Sequence, residues 1–126
     1  MKKLLFVDDD PLFHYIYFKI IKFLGVDCDV RTAFNGQDAL DIISSNQYNQ
    51  FIPDYIFVDL NMPIMDGFRF IQRFHALQVP GKEDTMIIVL TSSNSGDDRR
   101  RAFGLGIQNY IVKPIETCEL SRILQS

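Results

Sequence analysis

The chain has no tryptophan, only two cysteines, and no excess of one sign of charge large enough to dominate, with thirteen Lys and Arg against sixteen Asp and Glu. Each scarcity excludes a class of protein. Cys28 and Cys118 lie far apart and form no CxxC pair, so neither a disulfide framework nor a zinc site is indicated, and both are read as reduced thiols of a cytoplasmic protein. The net charge of −3 gives no long-range pull toward nucleic acid or anionic lipid. No apolar run approaches the roughly 20 residues of a membrane span, so neither nucleic acid nor membrane is an expected partner. Lys2 and Lys3 followed by Leu4 to Val7 imitate the start of a signal peptide, but Asp8 cuts the apolar stretch short. Repeats and low-complexity segments are absent, and so are GxGxxG and GxxxxGK[ST], which leaves nucleotide binding unsupported.

What is present is 126 residues, 47% of them hydrophobic and 23% charged. A chain of this length buries roughly two-thirds of the surface its unfolded form exposes, enough for one core and no second one. A single domain over 1–126, with no output module, is expected. Four short apolar runs stand out: Leu4 to Val7, Tyr55 to Val58, Met86 to Leu90 and Tyr110 to Val112. Continuous runs rich in Ile, Val and aromatics suit strands covered on both faces, as in a parallel sheet. Cys28 to Ala33 alternates instead of running, and reads as an edge strand. The intervening stretches are long enough for the crossover helices that parallel strands require.

The first of these has Asp10 as N-cap, Pro11 at the first helical position, a core-facing stripe of Phe13, Ile16, Ile20 and Phe23, and Gly25 as its close. Further helices are expected from Gln37 to Asn46, Gly67 to Leu77, Gly96 to Leu105, and Glu116 to the end. Alternating strands and helices define a doubly wound α/β domain. Strand order is not fixed by this pattern.

The exits of the apolar runs carry the chemistry. Val7 is followed by Asp8 and Asp9, Val58 by Asp59, Leu90 by Thr91 and Val112 by Lys113. In an open α/β sheet the site lies beyond the carboxyl ends of the strands, so the four exits converge on one crevice. A single acid there is ordinarily a cap or turn residue, as Asp10 and Asp66 are expected to be, and a lone Lys before Pro114 is ordinarily solvated. Four such exits together are not explained that way. Three clustered acids repel one another, which a hard divalent cation relieves. Lys113 and Thr91 suit phosphoryl oxygens, so the set points to phosphoryl chemistry on a carboxylate, with an aspartyl phosphate as intermediate.

In its motifs the chain resembles the receiver domains of bacterial two-component response regulators, with the single-domain chemotaxis regulators as the familiar form. The resemblance runs from Lys3 to Leu124 and rests on VDDD at Val7 to Asp10, VDLNMPIMDG at Val58 to Gly67, LTSS at Leu90 to Ser93 and YIVKP at Tyr110 to Pro114. It implies a flavodoxin-like five-stranded parallel sheet in the order 2-1-3-4-5 with five helices. It implies that Asp59 is the phosphoacceptor, and that Asp8, Asp9, Asp59 and the backbone carbonyl of Asn61 hold Mg²⁺, with Mn²⁺ as a substitute. Thr91 would be the switch hydroxyl, Lys113 the phosphate contact joined to Pro114 by a cis peptide, and Tyr110 a ring that turns inward on activation. Asn61 and Ser93 would tune dephosphorylation. The donor would be a sensor histidine kinase or a histidine phosphotransfer domain, and the protein would catalyse only its own phosphorylation and dephosphorylation. A separate downstream protein, or a second copy of the chain, would dock on the Gly96 to Leu105 helix, the last strand and the last helix.

Two rival functions use the same residues. A phosphohydrolase of the haloacid dehalogenase type would take Asp8 as nucleophile within the Asp8-x-Asp10 pair, with Gly96 to Asp98 as its second acidic motif, but Pro11 and the motif order fit it poorly and Asp59 would have no role. A degenerate receiver would bind partners without being phosphorylated. Other features have plainer readings: His14 and His75 as helix-surface residues, Tyr15, Tyr17 and Phe18 as surplus aromatic surface whose tyrosines keep their hydroxyls in water, and Arg99, Arg100 and Arg101 as a solvated helix start with Asp97 paired to Arg101.

Overall fold

Alternate residues of each apolar run face opposite sides of one sheet, and that alternation places two layers of helices. The structure is a computed structural model that describes residues 1–44 and 51–125. Its strands are β1 (Lys2–Val7), β2 (Cys28–Ala33), β3 (Tyr55–Val58), β4 (Met86–Thr91) and β5 (Asn109–Val112). All pair in parallel in the order β2-β1-β3-β4-β5. Five α-helices connect or follow them: α1 (Pro11–Leu24), α2 (Gly36–Ser44), α3 (Gly67–Ala76), α4 (Gly96–Gly104) and α5 (Thr117–Leu124), with a short 3₁₀ turn at Lys82–Asp84. This is the flavodoxin-like arrangement.

Leu5, Val7, Ile56, Val58, Ile87 and Val89 face one side, where they pack with α2, α3 and Ala102 of α4. Leu4, Phe6, Tyr55, Phe57, Ile88 and Leu90 face the other, against α1 and α5. Each fully buried Leu, Ile or Phe contributes about 1.5–3 kcal/mol relative to exposure, so this two-sided burial drives the fold. On the α1 side Tyr17 stacks on Phe6 with ring centroids 4.6 Å apart, and Phe6 stacks on Phe57 at 4.7 Å.

Helix starts follow the expected caps. Asp10 Oδ1 accepts from the Leu12 amide at 2.9 Å ahead of Pro11, and Asp66 Oδ1 accepts from the Arg69 amide at 2.8 Å. Gly25 ends α1 at φ 67°. The remaining boundaries move slightly: α2 begins at Gly36, α3 ends at Ala76, α4 ends at Gly104, and α5 begins at Thr117. Residues 45 and 46 of the expected second helix, and residue 126 of the expected last one, lie outside the described residues.

Three expectations about α1 are corrected. Phe23 is not on the core stripe, being 81% exposed. His14 and Tyr17 are not surface residues, since both are buried together with Ile21. The helix is therefore rotated relative to the expected stripe, with Phe13, Ile20 and Leu24 flanking that face. Tyr15 and Phe18 remain exposed. His75 is exposed as expected, its Nε2 at 3.1 Å from the Leu105 carbonyl.

Candidate functional site

The carboxyl ends of the strands pin the main chain of the polar exits before any side chain acts. The Asp8 amide donates to the Ala33 carbonyl at the end of β2 at 3.0 Å, the Asp59 amide to Val7 of β1 at 2.9 Å, and the Lys113 amide to Thr91 of β4 at 2.8 Å. Asp8, Asp59 and Lys113 are thus each held by the last carbonyl of the neighbouring strand. The sheet register, set by burial of both faces, fixes where the side chains meet.

Asp59 lies at the centre and is buried. Lys113 Nζ donates to its Oδ2 at 2.9 Å, and the Thr91 hydroxyl donates to its Oδ1 at 2.7 Å. Lys113 also bridges to Asp8 Oδ2 at 2.7 Å, and all three of these charged side chains are nearly excluded from solvent. The ammonium sits over the Phe13 ring, 3.9 Å from its centroid. Burial works against the charge on Lys113, but its hydrogen bonds to Asp8 and Asp59 and the attraction of both carboxylates outweigh that, so its pKa is raised and it stays charged at neutral pH. The Asn61 amide reaches Asp59 Oδ1 at 3.3 Å. Lys113 and Pro114 are joined by a cis peptide, as the resemblance implies.

Asp8, Asp9 and Asp59 bring one carboxylate oxygen each within 4.8 Å of one another, with Asp9 exposed and the other two buried. An all-oxygen donor set with three negative charges and one ammonium fits a hard divalent cation. Asp10 is outside this group, its carboxylate being occupied with the cap of α1. The Asp8-x-Asp10 pair of the phosphohydrolase reading is therefore split between two tasks. Gly96 to Asp98 is likewise spent on α4, where Asp97 pairs with Arg100 and Asp98 Oδ2 accepts from the Ser93 hydroxyl at 2.6 Å.

A line of contacts leaves the pocket. The Ser93 amide points at Thr91 Oγ1 at 3.4 Å, and the Ser93 carbonyl accepts from the Tyr110 hydroxyl at 2.9 Å. The Arg99 guanidinium lies 4.5 Å from the centroid of the Tyr110 ring. The expected Asp97–Arg101 pair does not form. Arg101 instead stacks at 4.1 Å on Phe68, and Asp97 engages Arg100 one position earlier, because the flat guanidinium of Arg101 finds an aromatic face within reach.

Beyond Asp59, the loop into α3 turns sharply. The Met65 amide donates to the Pro63 carbonyl at 2.7 Å around Ile64, whose φ is 68°. That left-handed geometry is strained for a β-branched residue, and it lets Met65 drop into the core while Ile64 stays exposed. Gly67 is required for a different reason. A Cβ there would lie 2.8 Å from Leu60 Cα and closer still to the Asp59 carbonyl oxygen.

Three site neighbours escape the reading by strand exits: Phe13, His14 and Tyr17. The Tyr17 hydroxyl donates to Asp8 Oδ2 at 3.2 Å, and His14 Nε2 lies 2.8 Å from the Asp8 carbonyl oxygen. Burial, then the charge of Asp8 and the hydrogen bond to it, push the Tyr17 phenol well above the ordinary tyrosine range. Positions 13, 14 and 17 share one face of α1, but the helix is apolar or aromatic on most sides, so spacing alone does not single that face out.

Buried acids at the ends of parallel strands, an ammonium bridging two of them and a hydroxyl on the third exit define a receiver-type phosphoacceptor domain. The chain matches the response regulator receiver domain model over residues 4–125 and belongs to that family. It is 30% identical over 124 residues to the hybrid signal transduction histidine kinase L of Dictyostelium discoideum, covering 98% of this chain and 7% of that protein. It is 32% identical over 124 residues to an uncharacterized 14.6 kDa protein in the sodA1 3′ region of Leptolyngbya boryana, covering 97% of this chain and 86% of that one. Among solved structures it resembles the chemotaxis protein CheY4 of Vibrio cholerae, with a TM-score of 0.78 at 28% identity over 99% of this chain and 97% of that one. The chain spans less than a tenth of the hybrid kinases it matches. Among the described residues no helix is long and apolar enough to cross a membrane. A domain of this family is a signalling phosphoacceptor, not a typical enzyme.

Proposed function

We propose that the protein is a response regulator that takes a phosphoryl group onto Asp59 from the phosphohistidine of a sensor kinase or phosphotransfer domain, and then presents an altered surface to a separate partner. A carboxylate oxygen of Asp59 attacks phosphorus, the P–N bond to the donor imidazole breaks, and the imidazole leaves with that electron pair and takes up a proton. The observation that carries this reading is the engagement of the two Asp59 oxygens by different donors, Lys113 on one and Thr91 on the other. Donors that close to the acceptor need only a short shift to meet the charge that develops on the phosphoryl oxygens.

Asp8, Asp9 and Asp59, with the Asn61 carbonyl, are the groups we assign to Mg²⁺ or Mn²⁺, which when bound supplies neutralisation of the phosphoryl oxygens. Lys113 moves from Asp59 Oδ2 to a phosphoryl oxygen, and Thr91 transfers its hydrogen bond likewise. Thr91 then draws on Ser93, whose carbonyl holds Tyr110 and whose hydroxyl holds Asp98, so α4 and β5 receive the change. The surface of α4, β5 and α5 is where we place the docking of a partner, a second copy of the chain included. Exposed Asn61 and half-buried Ser93, neither an acid nor bulky, are assigned to phosphoryl lifetime. We place the regulator and its phosphodonor together in the cytoplasm.

The reading is tested with a small phosphodonor and Mg²⁺, followed by intact mass. One labile phosphoryl group that Asp59→Asn abolishes is expected. Absence of any adduct would favour a binding module that is never phosphorylated.

A further inference from the structure

The first turns of α1 hold more of the site than the receiver reading needs. Asp8 is approached on its main chain by His14 and on its side chain by Tyr17. A carbonyl only accepts, so the His14 ring carries its proton on Nε2 and donates it to the Asp8 oxygen at 2.8 Å. That choice of tautomer leaves Nδ1 as an acceptor without a donor. Among the described residues it is the one buried side-chain nitrogen or oxygen that has no partner. His14 is 5% exposed and packed edge-on against Phe34 at 5.0 Å and Tyr17 at 6.2 Å, and an aliphatic side chain in its place would remove the unpaired Nδ1 but take away the donor to the Asp8 carbonyl. The histidine therefore leaves one of its own nitrogens unpaired while fixing the strand exit that carries Asp8.

Tyr17 completes the hold. Its ring is locked by the stack on Phe6, so its hydroxyl has a defined position against Asp8 Oδ2, the same oxygen that Lys113 contacts. Asp8 Oδ1 accepts from the Asp10 amide at 3.0 Å. Three donors thus set the direction of the Asp8 carboxylate, and His14 sets the loop beneath it.

We infer that His14 and Tyr17 are positioning residues for the cation site, acting through Asp8: they aim its carboxylate toward Asp9 and Asp59 while it keeps its bridge to Lys113. The inference rests on the reading of the acidic cluster as a divalent-cation site. Hydrogen-bond partners of metal ligands typically contribute 10–100-fold to affinity.

The test is the Mn²⁺ dissociation constant, read by electron paramagnetic resonance of free Mn²⁺, for the wild type, Tyr17→Phe, His14→Leu and His14→Gln. Thermal midpoints in EDTA are measured alongside. Tyr17→Phe keeps the stacked ring and His14→Gln keeps an N–H donor of similar reach. Weakening of roughly tenfold is expected for Tyr17→Phe and His14→Leu, with His14→Gln close to the wild type. The midpoint of Tyr17→Phe in EDTA should stay near that of the wild type, which separates aim from folding. Wild-type affinity in Tyr17→Phe would overturn the inference even if His14→Leu fails to fold. Absence of Mn²⁺ binding by the wild type would overturn the cation site itself, and the inference with it.

Discussion

Asp59 is buried with both carboxylate oxygens engaged, and its charge is a liability for stability. Losing that charge removes repulsion from two acids, Asp8 and Asp9, and attraction to one cation, Lys113. Asp9 is exposed and its share is screened, but Asp59 is buried, and the desolvation of its charge added to the repulsion from Asp8 favours removal. Asp59→Asn is therefore expected to raise unfolding stability in EDTA by about 1–2 kcal/mol, and a lower thermal midpoint would contradict this balance. Cys28 offers a second check at the same scale. Burial, then the charge of Asp27, raise its thiol pKa against the opposing pull of Lys2 and the N-terminus. Its alkylation is expected to stay slow at pH 8 and to accelerate only above the ordinary thiol range. The sign for stability follows: the fold retains the proton that the unfolded chain releases, so this contribution falls as pH rises through that window. Rapid alkylation of Cys28 at pH 8 would contradict the burial argument.

At the scale of elements, the link between β3 and α3 does the most to place Asp59. Gly67 passes so close beneath the Asp59 carbonyl that a methyl group must displace it. Gly67→Ala is expected to cost about 1–3 kcal/mol and to slow phosphoryl acceptance, while Gly25→Ala, with open space around it, should leave acceptance unchanged. Equal acceptance rates would show that the approach is not needed. Much of this level was legible in the sequence. Continuous apolar runs announced β1, β3 and β4 because both faces of the sheet are covered, and Asp10 with Pro11 announced the start of α1. The phase of α1 was not legible. That helix is apolar or aromatic nearly all round, so the exposed Phe23 and the buried His14 could not be told apart by spacing, and the neighbours of Asp8 on that helix were missed. The partners of Arg99 and Arg101 escaped for another reason: their rings, on Tyr110 and Phe68, are brought close only by the tertiary fold.

For the whole molecule, the net charge of −3 equals the contribution of the three clustered acids, which leaves the remaining surface balanced. The surface proposed for reporting, at α4 and β5, carries Asp97 and Asp98 beside Arg99, Arg100 and Arg101, and we expect it to be read by shape and by the Tyr110 and Arg99 contacts more than by bulk charge. Thr91→Ala cuts the contact between Asp59 and that surface while leaving Asp59 and Lys113 in place. It is expected to accept phosphate but to lose phosphorylation-dependent changes in the amide spectra of α4 and β5. Full retention of those changes would contradict the route through Thr91. The central claim, that Asp59 is the acceptor, is tested most directly by reducing the phosphorylated protein with borohydride, which marks the carboxyl group that carried the acyl phosphate, and locating the mark by peptide mass. A mark on the peptide at Asp59 alone is expected. A mark at Asp8, or at none of the three acids, would contradict it.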